Sequence, residues 1–357
     1  MTLSSKCYEV KDPEAVQELF HSRGWTDGLP IVPPTPELVQ ECLDEAKLPA
    51  DHLIGIEPVR DRFISAEKLA VNTIMAGCLP IYFPAVVASI TAMLKESFLL
   101  HGAIASTSGC AILMVFNGPI REELGMSGTF SVLGGSGNRA TTVIGRAARL
   151  TLYNLLDFRP GMGDRSTIGH PGKFSFCLAE DEEKTPWDSL AVERGVPKEA
   201  SAVTVMAAMA PRQIMNEWTT VPEEILDTFI AEMKANMRHY SIYPGNYAII
   251  VPPQYRDHFD NAGWSKQDIQ RYVFENARVR RSEWADCGKG AIVGSKPETE
   301  FKALVDPSHL LIIAAGGPAG GFGAVIPPQR GEKSKAVTVA IGACLDCAQA
   351  PFSLAKI

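Results

Sequence analysis

No stretch of this chain reaches about 18 uninterrupted apolar residues, the length a helix needs to cross a bilayer, so no membrane span is expected. A basic surplus is also missing. The 34 Lys and Arg stand against 41 Asp and Glu, a formal net charge of −7. Duplex-binding proteins gain affinity by releasing counterions with a basic face, so nucleic acid is not expected as a partner. Residues 1–11 hold no apolar core of a secretory signal, which points to a cytoplasmic protein. In that reducing setting the eight cysteines are expected as thiols rather than as a disulfide framework. Neither Gly-x-Gly-x-x-Gly nor a P-loop Gly-Lys-Ser/Thr occurs at the glycine loop described below, so no nucleotide cofactor is named. Cys344-Leu345-Asp346-Cys347 has the spacing of a redox pair or half a zinc site, but no second pair completes a metal set. Cys344 and Cys347 are therefore redox candidates only, and no metal is assigned.

What the chain does have is length, glycine and proline. Its 357 residues exceed the usual single-core domain, so two packed lobes are expected, residues 1–200 and 201–357. The 30 glycines and 25 prolines imply many shaped turns. Continuous apolar runs at 111–116, 247–251 and 310–315 read as strands covered on both faces, with further strands at 174–178, 202–208 and 336–341. Apolar residues at helical spacing mark helices near 12–23, 36–46, 84–95, 140–156, 222–238, 255–262 and 265–277. The alternation gives an α/β protein, a mixed sheet flanked by helices. A helix, an apolar strand and a Pro-containing turn follow one another at 85–119 and again at 225–253, a pattern that either duplication or chance produces.

Two loops concentrate polar chemistry. Gly134-Gly135-Ser136-Gly137 leads into a helix, where free backbone N–H groups and the helix dipole favour an anion. Gly135, Gly137, Asn138 and Arg139 are the expected anion cradle, with Arg139 offering a planar fork and Asp27 completing the pocket; a capped tight turn is the plainer alternative. The segment 164–173 gathers Asp164, Arg165, His170 and Lys173. His170 is the candidate for proton transfer near neutral pH, Lys173 and Asp164 assist it, and Arg165 adds an anion contact; a surface loop is the alternative. His101, before the small hydroxyl residues at 106–108, is a further catalytic candidate beside a structural reading. The acidic run 180–183 reads as a solvated face, or as a base or metal site at a strand end. The glycine run at 316–323 offers backbone contacts or a lid.

Several phrases together carry a resemblance. They are Gly24-Trp25-Thr26-Asp27-Gly28-Leu29-Pro30 with Pro33-Pro34-Thr35, Met75-Ala76-Gly77-Cys78-Leu79-Pro80, Asn117-Gly118-Pro119-Ile120 and Gly137-Asn138-Arg139-Ala140. Pro171-Gly172-Lys173-Phe174-Ser175-Phe176-Cys177 with Glu180, Pro186-Trp187 and Val192-Glu193-Arg194-Gly195 complete the set. Over about residues 15–325 the chain resembles an uncharacterised bacterial family associated, as neighbours or fused partners, with the UGSC-motif (seleno)proteins. The resemblance implies an enzyme and an association with thiol or selenol chemistry, and it hands over no catalytic residues. No UGSC segment is present here. The leading expectation is an enzyme (lyase, hydrolase or oxidoreductase) that acts on a small anionic metabolite, a carboxylate or phosphate, by acid–base chemistry. A thiol-dependent oxidoreductase using Cys344 and Cys347, and a non-catalytic partner subunit, stand beside it. A homo-oligomer or a complex with a partner subunit is expected.

Overall fold

The computed structural model describes residues 3–240, 243–329 and 333–342. Cys344 and Cys347 lie outside the described residues. The three apolar runs form the strands Ala111–Asn117, Tyr247–Val251 and Leu310–Ala314, each buried along its whole length.

They belong to two four-stranded mixed sheets. The first runs Val337–Ala340, Ala202–Ala208, Ala111–Asn117, Cys177–Ala179 from edge to edge. The second runs Arg212–Met215, Phe322–Ile326, Tyr247–Val251, Leu310–Ala314. In each sheet the last two strands are parallel, with Met114 opposite Cys177 and Ile312 opposite Ile249, and every other pair is antiparallel.

Side chains alternate across a strand, and here the alternation separates the layers. Ala111, Leu113 and Val115 meet Ala248, Ile250, Leu311 and Ile313 in one apolar layer between the two sheets. Ile112, Met114 and Phe116 face the other way, into a core with helices Pro36–Ala46, Ala66–Met75, Phe83–Met93 and Arg139–Asn154. Ile249, Val251 and Ile312 pack against Pro222–His239, Pro253–Asn261 and Lys266–Asn276. The protein is thus a four-layer sandwich of helices, sheet, sheet and helices.

The halves repeat. Each has a helix (Phe83–Met93; Pro222–His239) and a central strand (Ala111–Asn117; Tyr247–Val251). A shorter helix follows (Ile120–Glu123; Pro253–Asn261), then a longer one (Arg139–Asn154; Lys266–Asn276), then a parallel edge strand and an antiparallel strand. The final strand of each half crosses over. Arg212–Met215 follows Ala202–Ala208 but joins the second sheet, and Val337–Ala340 returns to the first. The crossing connections run side by side, with Met209 N–H donating to Pro327 O and Gln329 N–H to Ala207 O, both at 2.9 Å. Strands Ala202–Ala208 and Val337–Ala340 lie beyond residue 200 yet pair in the first sheet, so the sheets do not part at that position. No single helix among the described residues is long and apolar enough to cross a membrane.

Candidate functional site

Asn138 starts the helix Arg139–Asn154 as its N-cap: Oδ1 accepts from Thr141 N–H at 3.0 Å. Its Nδ2 donates to Gly125 O at 2.7 Å and Thr142 Oγ1 to Gly135 O at 2.7 Å, so the incoming loop is tied at both ends. Gly135 and Gly137 take φ of +65° and +84°, conformations that suit glycine. The result is a run of backbone N–H groups at Gly135, Ser136, Gly137, Arg139 and Ala140 that donate to no acceptor among the described residues. Those of Gly135, Ser136, Gly137 and Arg139 border a cavity of about 520 Å³ whose other wall is Thr142, Ser175, Phe176 and Cys177. Arg139 lines it too, but its Nε and one terminal nitrogen donate to Gly77 O at 3.3 and 2.9 Å, which draws the guanidinium toward the neighbouring turn.

Asp27 does not meet Arg139. Its carboxylate takes a two-pronged bond from Arg146 at 2.9 and 2.8 Å. Burial pushes the Asp27 carboxyl up, but the Arg146 guanidinium outweighs it and holds the group below its ordinary value. Asp27 therefore clamps the loop at 24–30 to the helix.

The second loop does assemble some of its expected residues. Asp164 is buried and receives Lys173 Nζ at 2.6 Å, an Arg149 terminal nitrogen at 3.2 Å and Ser166 N–H at 3.0 Å. Burial raises its pKa, and Lys173 and Ser166 more than offset that, so it sits below the usual value. Lys173 and Arg149 border a small space of about 20 Å³, room for about one water, whose lining includes Phe176 of the larger cavity. His170 is tied into the chain instead. Its Nδ1 accepts from Gly172 N–H at 3.2 Å, its Nε2 lies 3.4 Å from Ala208 O, and its ring stands edge-on to Phe176 at 5.6 Å. Burial, helped by the Lys173 charge and opposed by the Ala208 bond, lowers its pKa. His170 is thus a neutral imidazole with Nε2 protonated, capping the turn Pro171–Lys173. Arg165 is exposed. His101 packs on Phe158 with Nδ1 3.4 Å from the buried carboxylate of Glu57. The six described cysteines are free; burial pushes Cys110 up to about 12 and Cys177 higher still.

Sequence reading missed the centre of the molecule. The acidic run is not a solvated face: Glu180 and Asp181 are 0 % and 4 % exposed. Arg256, fully buried, donates to Asp181 Oδ2 at 2.8 Å. Asn117 Nδ2 donates to Glu180 and Glu182 at 2.7 and 2.9 Å. Glu180 also accepts Ala314 N–H and Leu190 N–H, so one carboxylate ties the two sheets together at the ends of their parallel strands. Lys266 Nζ lies 3.5 Å from Glu180 and 2.9 Å from Glu193. Every carboxylate in this knot has a partner, which makes it a buried ion-pair network. No group of three or more His, Cys, Asp or Glu among the described residues is placed to hold a metal ion. Beyond Glu193 opens a second, polar cavity of about 750 Å³.

Comparison with protein-family models, with curated proteins and with solved structures finds no match.

Proposed function

We propose that the chain is an enzyme that holds a small anionic metabolite, a carboxylate or phosphate, in the cavity beneath Gly135–Gly137 and acts on it by acid–base chemistry. The observation that carries this reading is the set of four undirected N–H donors, of Gly135, Ser136, Gly137 and Arg139, around that cavity at the start of a 16-residue helix. A helix N-terminus carries about half a positive charge, worth roughly 0.3–1 kcal/mol to a nearby anion. Each charge-assisted hydrogen bond adds about 1.5–3 kcal/mol. Proton transfer falls to Lys173 rather than His170, since both nitrogens of His170 are engaged within the chain. Asp164 orients Lys173, and Phe176 stands between the two spaces.

Arg139→Pro is the discriminating variant. Arg139 is the first helical residue, where proline is well tolerated, and Asn138 already has the extended φ and ψ of −111° and 104° that precede proline. The change removes one N–H and the guanidinium together while leaving the helix intact. Calorimetric titration with inorganic phosphate is expected to show binding to the wild type and at least a tenfold loss in Arg139→Pro, with an unchanged melting temperature. Equal affinity in the two proteins refutes the cradle. A second reading, a partner subunit, rests on Ile168, Trp218 and Phe130, which are 94 %, 77 % and 71 % exposed.

A further inference from the structure

We infer that the chain has a second ligand site, for a small organic carboxylate, in the polar cavity bordered by Arg194, Asn246, Gln270 and Lys335. The inference is independent of the glycine-loop reading. It starts from the repeat. The first cavity lies where the longer helix of the first half, at Thr142 and Val143, meets the start of the following edge strand at Ser175–Cys177. The second lies where the longer helix of the second half, at Gln267 and Gln270, meets the start of its edge strand at Ser308–Leu311. The same fold in duplicate leaves the same kind of opening twice.

Charge then says what enters. Glu193 is the one carboxylate on the wall, and Lys266 already matches it at 2.9 Å. Arg194 and Lys335 are not matched by any ion pair among the described residues, in a chain with a surplus of acids. Arg194 is held in place, its Nε donating to Thr338 Oγ1 and a terminal nitrogen to Ala336 O, both at 2.6 Å, which leaves its remaining terminal nitrogen without a protein acceptor. Asn246, 5 % exposed, is fixed through Oδ1 by Ala336 N–H at 2.6 Å, while its Nδ2 has no partner. A buried donor without an acceptor costs stability, and donors placed in advance around a cavity are how sites recognise anions. Burial, with Glu180 and Asp188 nearby, holds the Glu193 carboxyl above its ordinary value against the pull of Lys266. Gln267, Gln270 and Ser308 supply neutral hydrogen-bonding groups for the rest of the ligand.

The test is calorimetric titration of the full chain with succinate, with neutral succinamide and inorganic phosphate as comparison probes. Succinate is expected to bind and succinamide is not. Arg194→Gln and Lys335→Gln are each expected to weaken succinate at least tenfold. Lys335 is exposed and makes no side-chain bond among the described residues, so its variant folds even where loss of the Arg194 bonds to Thr338 and Ala336 disturbs the other. Arg139→Ala is expected to retain the succinate-binding event that Arg194→Gln and Lys335→Gln remove, which separates this site from the glycine loop. Failure of succinate to bind, binding of succinamide with equal strength, or full affinity in Lys335→Gln overturns the inference. Tighter binding of phosphate than of succinate, lost in the same two variants, overturns the carboxylate assignment.

Discussion

Replacing Asp181 by Asn tests whether the centre of the molecule is held as described. Arg256 is 0 % exposed, and among the described residues its two terminal nitrogens reach only Asp181, one to Oδ2 at 2.8 Å and one to the backbone oxygen at 3.2 Å. Its Nε has no partner. Asp181 in turn donates its N–H to Ala314 O at 2.7 Å, so the pair joins the end of the first sheet to a helix and strand of the second half. Removing one member of a buried pair leaves an uncompensated charge and costs about 3–5 kcal/mol. Asn keeps the shape and one acceptor, so Asp181→Asn falls at about 3 kcal/mol. Arg256→Met strands the carboxylate instead and costs a similar amount. The double variant Asp181→Asn/Arg256→Met carries no charge at either position and is expected within about 1–2 kcal/mol of wild type, because neither member is left as an uncompensated buried charge. The coupling between the two sites is then several kcal/mol, well above the about 0.3–0.5 kcal/mol seen for independent positions. Urea unfolding followed by tryptophan fluorescence reads this directly. With m of about 3 kcal/mol/M, each single variant shifts the midpoint down by about 1 M. A single variant that costs under about 1 kcal/mol, the level of a solvent-exposed pair, would falsify the buried network.

Two further outcomes follow from titrating groups. Glu67 accepts hydrogen bonds from Ser4 and Ser5; burial alone would raise its pKa, but these bonds lower it from the ordinary 4.5 to about 2. A depressed carboxyl stabilises the fold above its unfolded pKa and loses that contribution as pH falls through the folded one, so the segment at Ser4 and Ser5 is expected to detach between about pH 4.5 and pH 2. Amide exchange at Ser5 checks this, and unchanged protection at pH 2 refutes it. Among the cysteines, exposed Cys7 is expected to react with iodoacetamide in the native protein while Cys42, Cys110 and Cys177 stay unlabelled until denaturant is added; their burial raises the cost of the thiolate. Mass spectrometry of the labelled peptides decides, and native labelling of Cys177 would contradict the burial of its thiol.

The strands legible in the sequence are those whose burial is written as a continuous apolar run. Ala202–Ala208, Tyr247–Val251 and Leu310–Ala314 are buried at every residue, and nothing local competes with that signal. Arg212–Met215 escaped because it is a sheet edge with only Ile214 buried, so its residues read as loop. Phe322–Ile326 was taken into the glycine run before it, although Ala324, Val325 and Ile326 are buried. The glycine loop was legible as a cradle because φ above zero and free N–H groups are local properties of Gly135 and Gly137. The partners of its neighbours were not. Arg139 turns to Gly77, Asp27 to Arg146 and His170 to Ala208, choices settled by segments far along the chain. The acidic run misled for the same reason: the cations facing its two buried members, Arg256 at Asp181 and Lys266 at Glu180, come from the second half of the chain.

The exchange of edge strands explains why those partners lie so far apart. Had each half kept its own final strand, the two sheets would meet only through their apolar faces and the polar knot at Glu180 and Asp181. Instead Val337–Ala340 closes the first sheet from the far end of the chain, while Arg212–Met215 closes the second from the middle. The returning strand also reaches the second cavity: Thr338 and Ala336 fix the Arg194 guanidinium, and Ala336 N–H fixes Asn246. Arg194 follows the edge strand of the first half, and Asn246 precedes the central strand of the second. A single connection therefore aligns groups from both halves, and it does so only when both sheets have formed. The second cavity is thus lined from both halves, and the guanidinium of Arg194 is positioned by the strand beside it rather than by either half alone.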